Sequence, residues 1–155
     1  MKKYLTFIFV MLFVGFPTFL SAEIKKGKWV FVKDTDYCYI GSAPTLIDIP
    51  EGKKRDDAYI LVYRINKSKD IIVQITAGYP FNQNKKIEVA IDSNNYNFVP
   101  DDDTAFTDSD KKVILAMKKG NELMVMGESS RGTKTKDTYT LKGFTAAYNQ
   151  LLNDC

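Results

Sequence analysis

The 155-residue chain contains no histidine. That absence removes Ser-His-Asp and Cys-His nucleophilic catalysis, His-ligated zinc and a histidine pH switch. Cysteine is scarce, with Cys38 and Cys155 the two present. Internal repeats and low-complexity tracts are missing. Neither charge dominates: the net charge of +3 falls to +1 once Lys2 and Lys3 of the first segment are set aside. A near-neutral domain lacks the basic face that nucleic-acid binding requires. Acids and bases alternate in small blocks, the pattern of a solvated surface. Beyond Leu20 no run is apolar enough to span a membrane. No pair of carboxylates stands in a spacing that identifies an acid/base couple, and Ser129 and Ser130 have no histidine to activate them. No cofactor is expected, and the reading is that the chain is not an enzyme.

What is present begins with an address. Lys2 and Lys3 precede an uncharged run from Tyr4 to Leu20, and Ser21-Ala22 follows before the first acid, Glu23. A positive start, an apolar core and a small-residue exit form a secretory leader, expected to be cleaved after Ala22. The competing reading is a retained anchor. The run's 17 residues reach only the lower limit of about 17–25 for a spanning helix, and Gly15 and Pro17 weaken its second half. Removing residues 1–22 leaves 133 residues, 23–155, enough for one domain in the periplasm or outside the cell. In such a compartment two cysteines are read first as an intramolecular disulfide, Cys38 to Cys155. Two free thiols, or an intermolecular bridge through Cys155, are the alternatives.

The mature chain reads as mostly β. Residues 28–32, 37–40, 58–65 and 71–76 are rich in β-branched and aromatic side chains, and the last two form a hairpin around the polar residues 66–70. Residues 41–52, with two prolines and two glycines, read as irregular. Residues 86–92 alternate, with Ile87, Val89 and Ile91 inward and Ala90 outward, and Asn94-Asn95 makes the turn to 96–99. Asp110 caps a short helix over 111–119 that Gly120 stops. Strands over 122–128 and 137–141 precede a short helix over 144–152, with Phe144, Ala147, Tyr148 and Leu151 on one stripe. Seven or eight short strands at this spacing suggest a sandwich or barrel.

Three stretches are candidate sites. Asp101 to Asp110 offers carboxylates to calcium but lacks the central glycine and closing glutamate of the helix-loop-helix pattern, so a solvated loop is the default. Gly78-Tyr79-Pro80-Phe81 is an aromatic turn after a strand, either a ligand-facing lip or, more often for such turns, a cover for the end of the core. The loop over 129–137 holds Arg131, Lys134 and Lys136 among hydroxyls, suited to a phosphate or a carboxylate. Tyr79, Phe81, Arg131 and Lys134 are therefore the candidate partner-binding residues.

Several segments together resemble a known family. They are Trp29, Tyr37-Cys38-Tyr39, Gly78 to Phe81, Ile114 to Gly120, Met124 to Thr133, and Asp137 to Leu152 with Cys155. In these the chain is similar to the invasion-associated locus B family of exported alphaproteobacterial proteins, most specifically over Thr140 to Leu151. The resemblance implies export, an immunoglobulin-like β-sandwich and no established catalytic residue. Family members often carry a further cysteine soon after the leading tryptophan; residues 30–37 contain none, so only one bridge can form here. The function expected is that of an envelope protein that binds a protein or glycan partner. A carboxylate-based glycan hydrolase or lyase and a secreted host-interaction factor are the alternatives.

Overall fold

The computed structural model describes residues 23–65 and 68–155. The expected leader, residues 1–22, lies outside the described residues, as do Asn66 and Lys67 of the expected hairpin loop. In chain order the strands are β1 (Val30–Lys33), β2 (Tyr37–Ser42), β3 (Leu46–Asp48), β4 (Tyr59–Ile65), β5 (Ile72–Thr76), β6 (Ile87–Ile91), β7 (Asn94–Asp101) and β8 (Thr104–Phe106). Helix α1 (Asp110–Lys119), β9 (Glu122–Glu128), β10 (Lys134–Thr140) and helix α2 (Phe144–Asp154) follow. No helix among the described residues is long and apolar enough to cross a membrane.

All ten strands form one sheet in the order β1-β2-β4-β5-β8-β7-β6-β9-β10-β3, and every neighbouring pair is antiparallel. Among the described residues the count is ten rather than seven or eight, and hydrogen bonds run without a break where a sandwich would divide. The hinge is β7. Its first half pairs with β6, from Asn94 to Phe98, and its second half pairs with β8, from Val99 to Asp101. Pro100, which has no N–H to donate, sits in that second half, as prolines do where a ladder changes partner.

The sheet curls until its ends meet. Only residues 43–45 separate β2, beside one edge, from β3, which is the other edge. Trp29 Nε1 donates to the Thr140 carbonyl at 3.0 Å, and the Thr45 N–H donates to the Thr138 carbonyl at 2.7 Å. Both bonds join the start of the chain to β10.

Inward side chains follow period two. Ile40, Val62 and Val73 lie in register across β2, β4 and β5; Ile91, Leu123 and Tyr139 do the same across β6, β9 and β10. All six are buried in a single core. As expected, Ile87, Val89 and Ile91 point inward; Ala90, expected outward, is buried too. Helix α2 plugs the curl with Phe144, Ala147 and Leu151, and Phe144 meets Trp29 edge-on at 4.9 Å between centroids. Tyr148 lies only half-buried, stacked on Phe144. Asp110 opens α1 rather than preceding it, and its carboxylate accepts the Val73 N–H at 2.7 Å instead of capping the helix.

The disulfide joins Cys38 to Cys155 across 117 residues, with Cα atoms 5.7 Å apart, inside the range an unstrained bridge needs. The intramolecular reading therefore holds against the two alternatives.

Tyr139 is a mismatch inside this core. It is fully buried, burial pushes its phenol pKa up, and its hydroxyl has no hydrogen-bond partner among the described residues. Replacing such a group with an apolar one of the same shape removes a desolvation cost. Tyr139→Phe should raise unfolding stability by about 1 kcal/mol in urea titration. A loss of that size would show that the hydroxyl has a partner.

Candidate functional site

The site grows from one inward-facing charge. On β10 the residues in register with the buried Val125 and Leu123 are Asp137 and Tyr139, so Asp137 points into the core, with its side chain 2% exposed. An isolated carboxylate there would cost several kcal/mol. Arg55 answers it. Its Nη1 donates to Asp137 Oδ2 at 2.9 Å, its Nη2 to Oδ1, and Nη1 also donates to the Ala77 carbonyl at 3.0 Å. Burial alone would lower the guanidinium pKa, but the hydrogen bonds and charge of Asp137 hold it above its ordinary value.

Two glycines let the segments meet. Gly78 has φ of +72° and its carbonyl accepts the Asp56 N–H at 3.0 Å; a Cβ there would meet the Asp56 carbonyl oxygen. Gly127 leaves the room that Tyr79 and Phe81 fill, since a Cβ would come within 2.7 Å of the Tyr79 hydroxyl and 2.9 Å of the Phe81 ring. Tyr79 is thereby fixed. Its hydroxyl bonds Thr135 Oγ1 at 2.6 Å, its ring meets Phe81 edge-on, and the Arg55 guanidinium lies 5.8 Å from its centroid. Burial, its largest influence, raises the Tyr79 pKa despite the Thr135 bond and the Arg55 charge.

Over this floor opens a pocket of about 210 Å³. Its walls are the segment from Lys53 to Arg55, the turn Tyr79-Pro80, and the β9–β10 connection around Ser129, Ser130 and Arg131. Lys53, Lys54 and Arg131 are exposed at its rim, and no carboxylate lines it. The β9–β10 turn is braced from inside: Ser129 Oγ accepts the N–H groups of Thr133 (3.1 Å) and Arg131 (3.3 Å), and the Ser130 N–H donates to the Pro80 carbonyl at 2.8 Å.

The candidate residues separate on this geometry. Tyr79 and Arg131 come together at the pocket. Lys134 does not line it; it is exposed on β10, paired in register with Glu128. Glu128 in turn bonds Lys85 Nζ at 2.7 Å and Asn82 Nδ2 at 3.1 Å, contacts that hold its carboxyl below its ordinary pKa, Lys85 first. Phe81 is 1% exposed and unable to meet a partner, because its ring fills the space over Gly127. The turn was half lip and half core cover. Within the acidic stretch 101–110, residues up to Phe106 make the tight β7–β8 hairpin turning at Asp102 and Asp110 opens α1; among the described residues no three metal-ligating side chains converge. Arg55, Lys53, Lys54 and Asp137 escaped the sequence reading. The available signals were the cationic run 53–55 inside an irregular stretch, and an aspartate two residues before an inward tyrosine.

A larger groove, about 800 Å³, lies among α1, the start of β5 and α2. Its charges are mixed, with Asp70, Asp108 and Asp110 among lysines, and it selects for no one sign.

Fold and site together define a small, curled antiparallel β domain, closed by a disulfide, with a cation-rimmed pocket free of lining carboxylates. Residues 33–152 match the family profile described as Invasion associated locus B (IalB) protein, and the chain belongs to that family. Among solved structures, the crystal structure of invasion associated protein b from Bartonella henselae aligns with a TM-score of 0.58. It covers 82% of this chain and 93% of that one at 14% identity, a likeness of fold. No curated protein sequence matches the chain.

Proposed function

We propose that this is an exported envelope protein that acts by binding a partner, without catalysis, through the pocket between Lys53–Arg55, Tyr79-Pro80 and the β9–β10 turn. One observation carries the reading: three segments far apart in sequence are held together, by Gly78, Gly127 and the Arg55–Asp137 pair, around a concave site. The absence of a lining carboxylate favours binding over the carboxylate-based hydrolase or lyase, which needs two such groups about 5–10 Å apart. The disulfide supports an oxidising compartment, the periplasm or outside the cell, as does the leader-like pattern of residues 1–22. Kinship in fold to a protein titled invasion associated favours host interaction as the second reading.

Ser130 is exposed on the pocket wall, so Ser130→Trp should fill the pocket and leave the fold intact. In cross-linked envelope fractions the wild type should recover a partner that Ser130→Trp loses at unchanged melting temperature. An identical partner set, or release of sugar from cell-wall glycan by the purified protein, would overturn the reading.

A further inference from the structure

Resting on the pocket as the binding site, we infer that its ligand is an acidic sugar unit: one monosaccharide of a glycan, carrying a carboxylate or a phosphate. The cations come first. Lys53, Lys54 and Arg131 surround an opening lined by no acid, and the one buried acid beneath, Asp137, is already committed to Arg55. An arriving anion therefore meets unopposed positive charge above a neutral floor. Arginine and lysine bind carboxylate and phosphate oxygens through charge-assisted hydrogen bonds.

Size and wall chemistry point to a sugar bearing that anion. At about 210 Å³ the pocket is smaller than the roughly 300–1,000 Å³ of drug-sized sites, and it has room for one small ring. Tyr79 and Pro80 line it on the side of the aromatic turn and bring carbon-rich surface suited to the C–H face of a pyranose. The β9–β10 turn brings the hydroxyls of Ser129, Ser130 and Thr133 to the lining. Ser129 Oγ already accepts two backbone N–H groups, so its own proton is left to donate to a ligand oxygen. Both walls are rigid, since Tyr79 is tied to Thr135 and the β9–β10 turn is tied to Pro80.

The test titrates the oxidised protein with glucuronate, glucose 6-phosphate, glucose, inorganic phosphate and a tetraglutamate peptide, followed by backbone amide NMR shifts. Glucuronate or glucose 6-phosphate should move the amides of Lys53, Ser130 and Arg131 and bind at least about tenfold tighter than glucose, the effect of one charge-assisted contact. Whichever of the two binds tighter identifies carboxylate or phosphate as the natural acid. Lys53→Glu with Arg131→Glu should weaken binding by at least about tenfold. Lys134→Glu with Lys136→Glu, an equal charge change at exposed β10 positions outside the pocket, should leave binding within about twofold. The inference falls if inorganic phosphate or tetraglutamate binds as tightly as the acidic sugars, or if no acidic sugar moves those amides. Loss of a partner by Ser130→Trp, with no response to acidic sugars, would overturn this ligand class and leave the binding role standing. Failure of both would remove the site.

Discussion

Reducing the Cys38–Cys155 bridge should lower the melting temperature by about 15–25 °C while leaving the native fold unchanged at room temperature. The bridge closes a loop of 117 residues, and restricting an unfolded chain over that span is worth about 5 kcal/mol. For a domain of this size each kcal/mol corresponds to roughly 3–5 °C. The native state loses little, because other bonds hold the same ends together. Lys33 Nζ donates to the Asp154 carbonyl at 2.8 Å, and Phe144 and Leu151 stay buried. Calorimetry with and without reductant, beside near-ultraviolet circular dichroism at 20 °C, checks both halves. A shift below about 3 °C would mean that the reduced chain keeps its ends together when unfolded.

Asp137→Ala should be nearly as damaging, at about 3–5 kcal/mol, through what it leaves behind rather than what it removes. The Arg55 side chain is 6% exposed, so without Asp137 its charge is stranded in the core. The diagnostic variant is the double one. Arg55→Met with Asp137→Leu replaces a buried ion pair by apolar volume and should recover most of the loss. Urea midpoints should fall by roughly 2 M for the single variant and recover in the double. A single variant as stable as wild type would show that solvent reaches the guanidinium.

The sequence was legible wherever a segment carried its own apolar alternation. β4, β5 and β6 are each half-buried strands, and Ile87, Val89 and Ile91 show their parity without help. Phe144, Ala147 and Leu151 mark the buried side of α2 in the same way. The strands that went unread have no apolar period of their own. β3 is three exposed residues held by β10, and β8 is three residues inside an acidic stretch. β10 begins at Lys134 rather than Asp137 because its early inward positions are Thr135 and Asp137, polar groups satisfied only by distant partners. The β6–β7 turn fell at Asp92-Ser93 instead of Asn94-Asn95. Asp92 adopts φ of +48° there, and its carboxylate accepts the Asn121 and Glu122 N–H groups at the entry to β9. The site divided along the same line. Tyr79 and Arg131 stood out as an aromatic turn and a cationic hairpin. The Arg55–Asp137 pair spans 82 residues and leaves no local trace.

The covalent link also decides how the molecule carries mechanical load. Tension applied between residue 23 and Cys155 runs along the chain to Cys38, crosses the sulfur–sulfur bond and leaves. Everything from Tyr39 to Asp154, nine of the ten strands save the first two residues of β2, hangs from that path as a slack loop. The β1 ladder on β2, the bonds of Lys25 and Gly27 to Ala43, the Trp29–Thr140 bond and the Lys33–Asp154 bond lie in series with the force. The pocket sits within the slack loop, so a ligand held there stays gripped while the anchoring strand peels away.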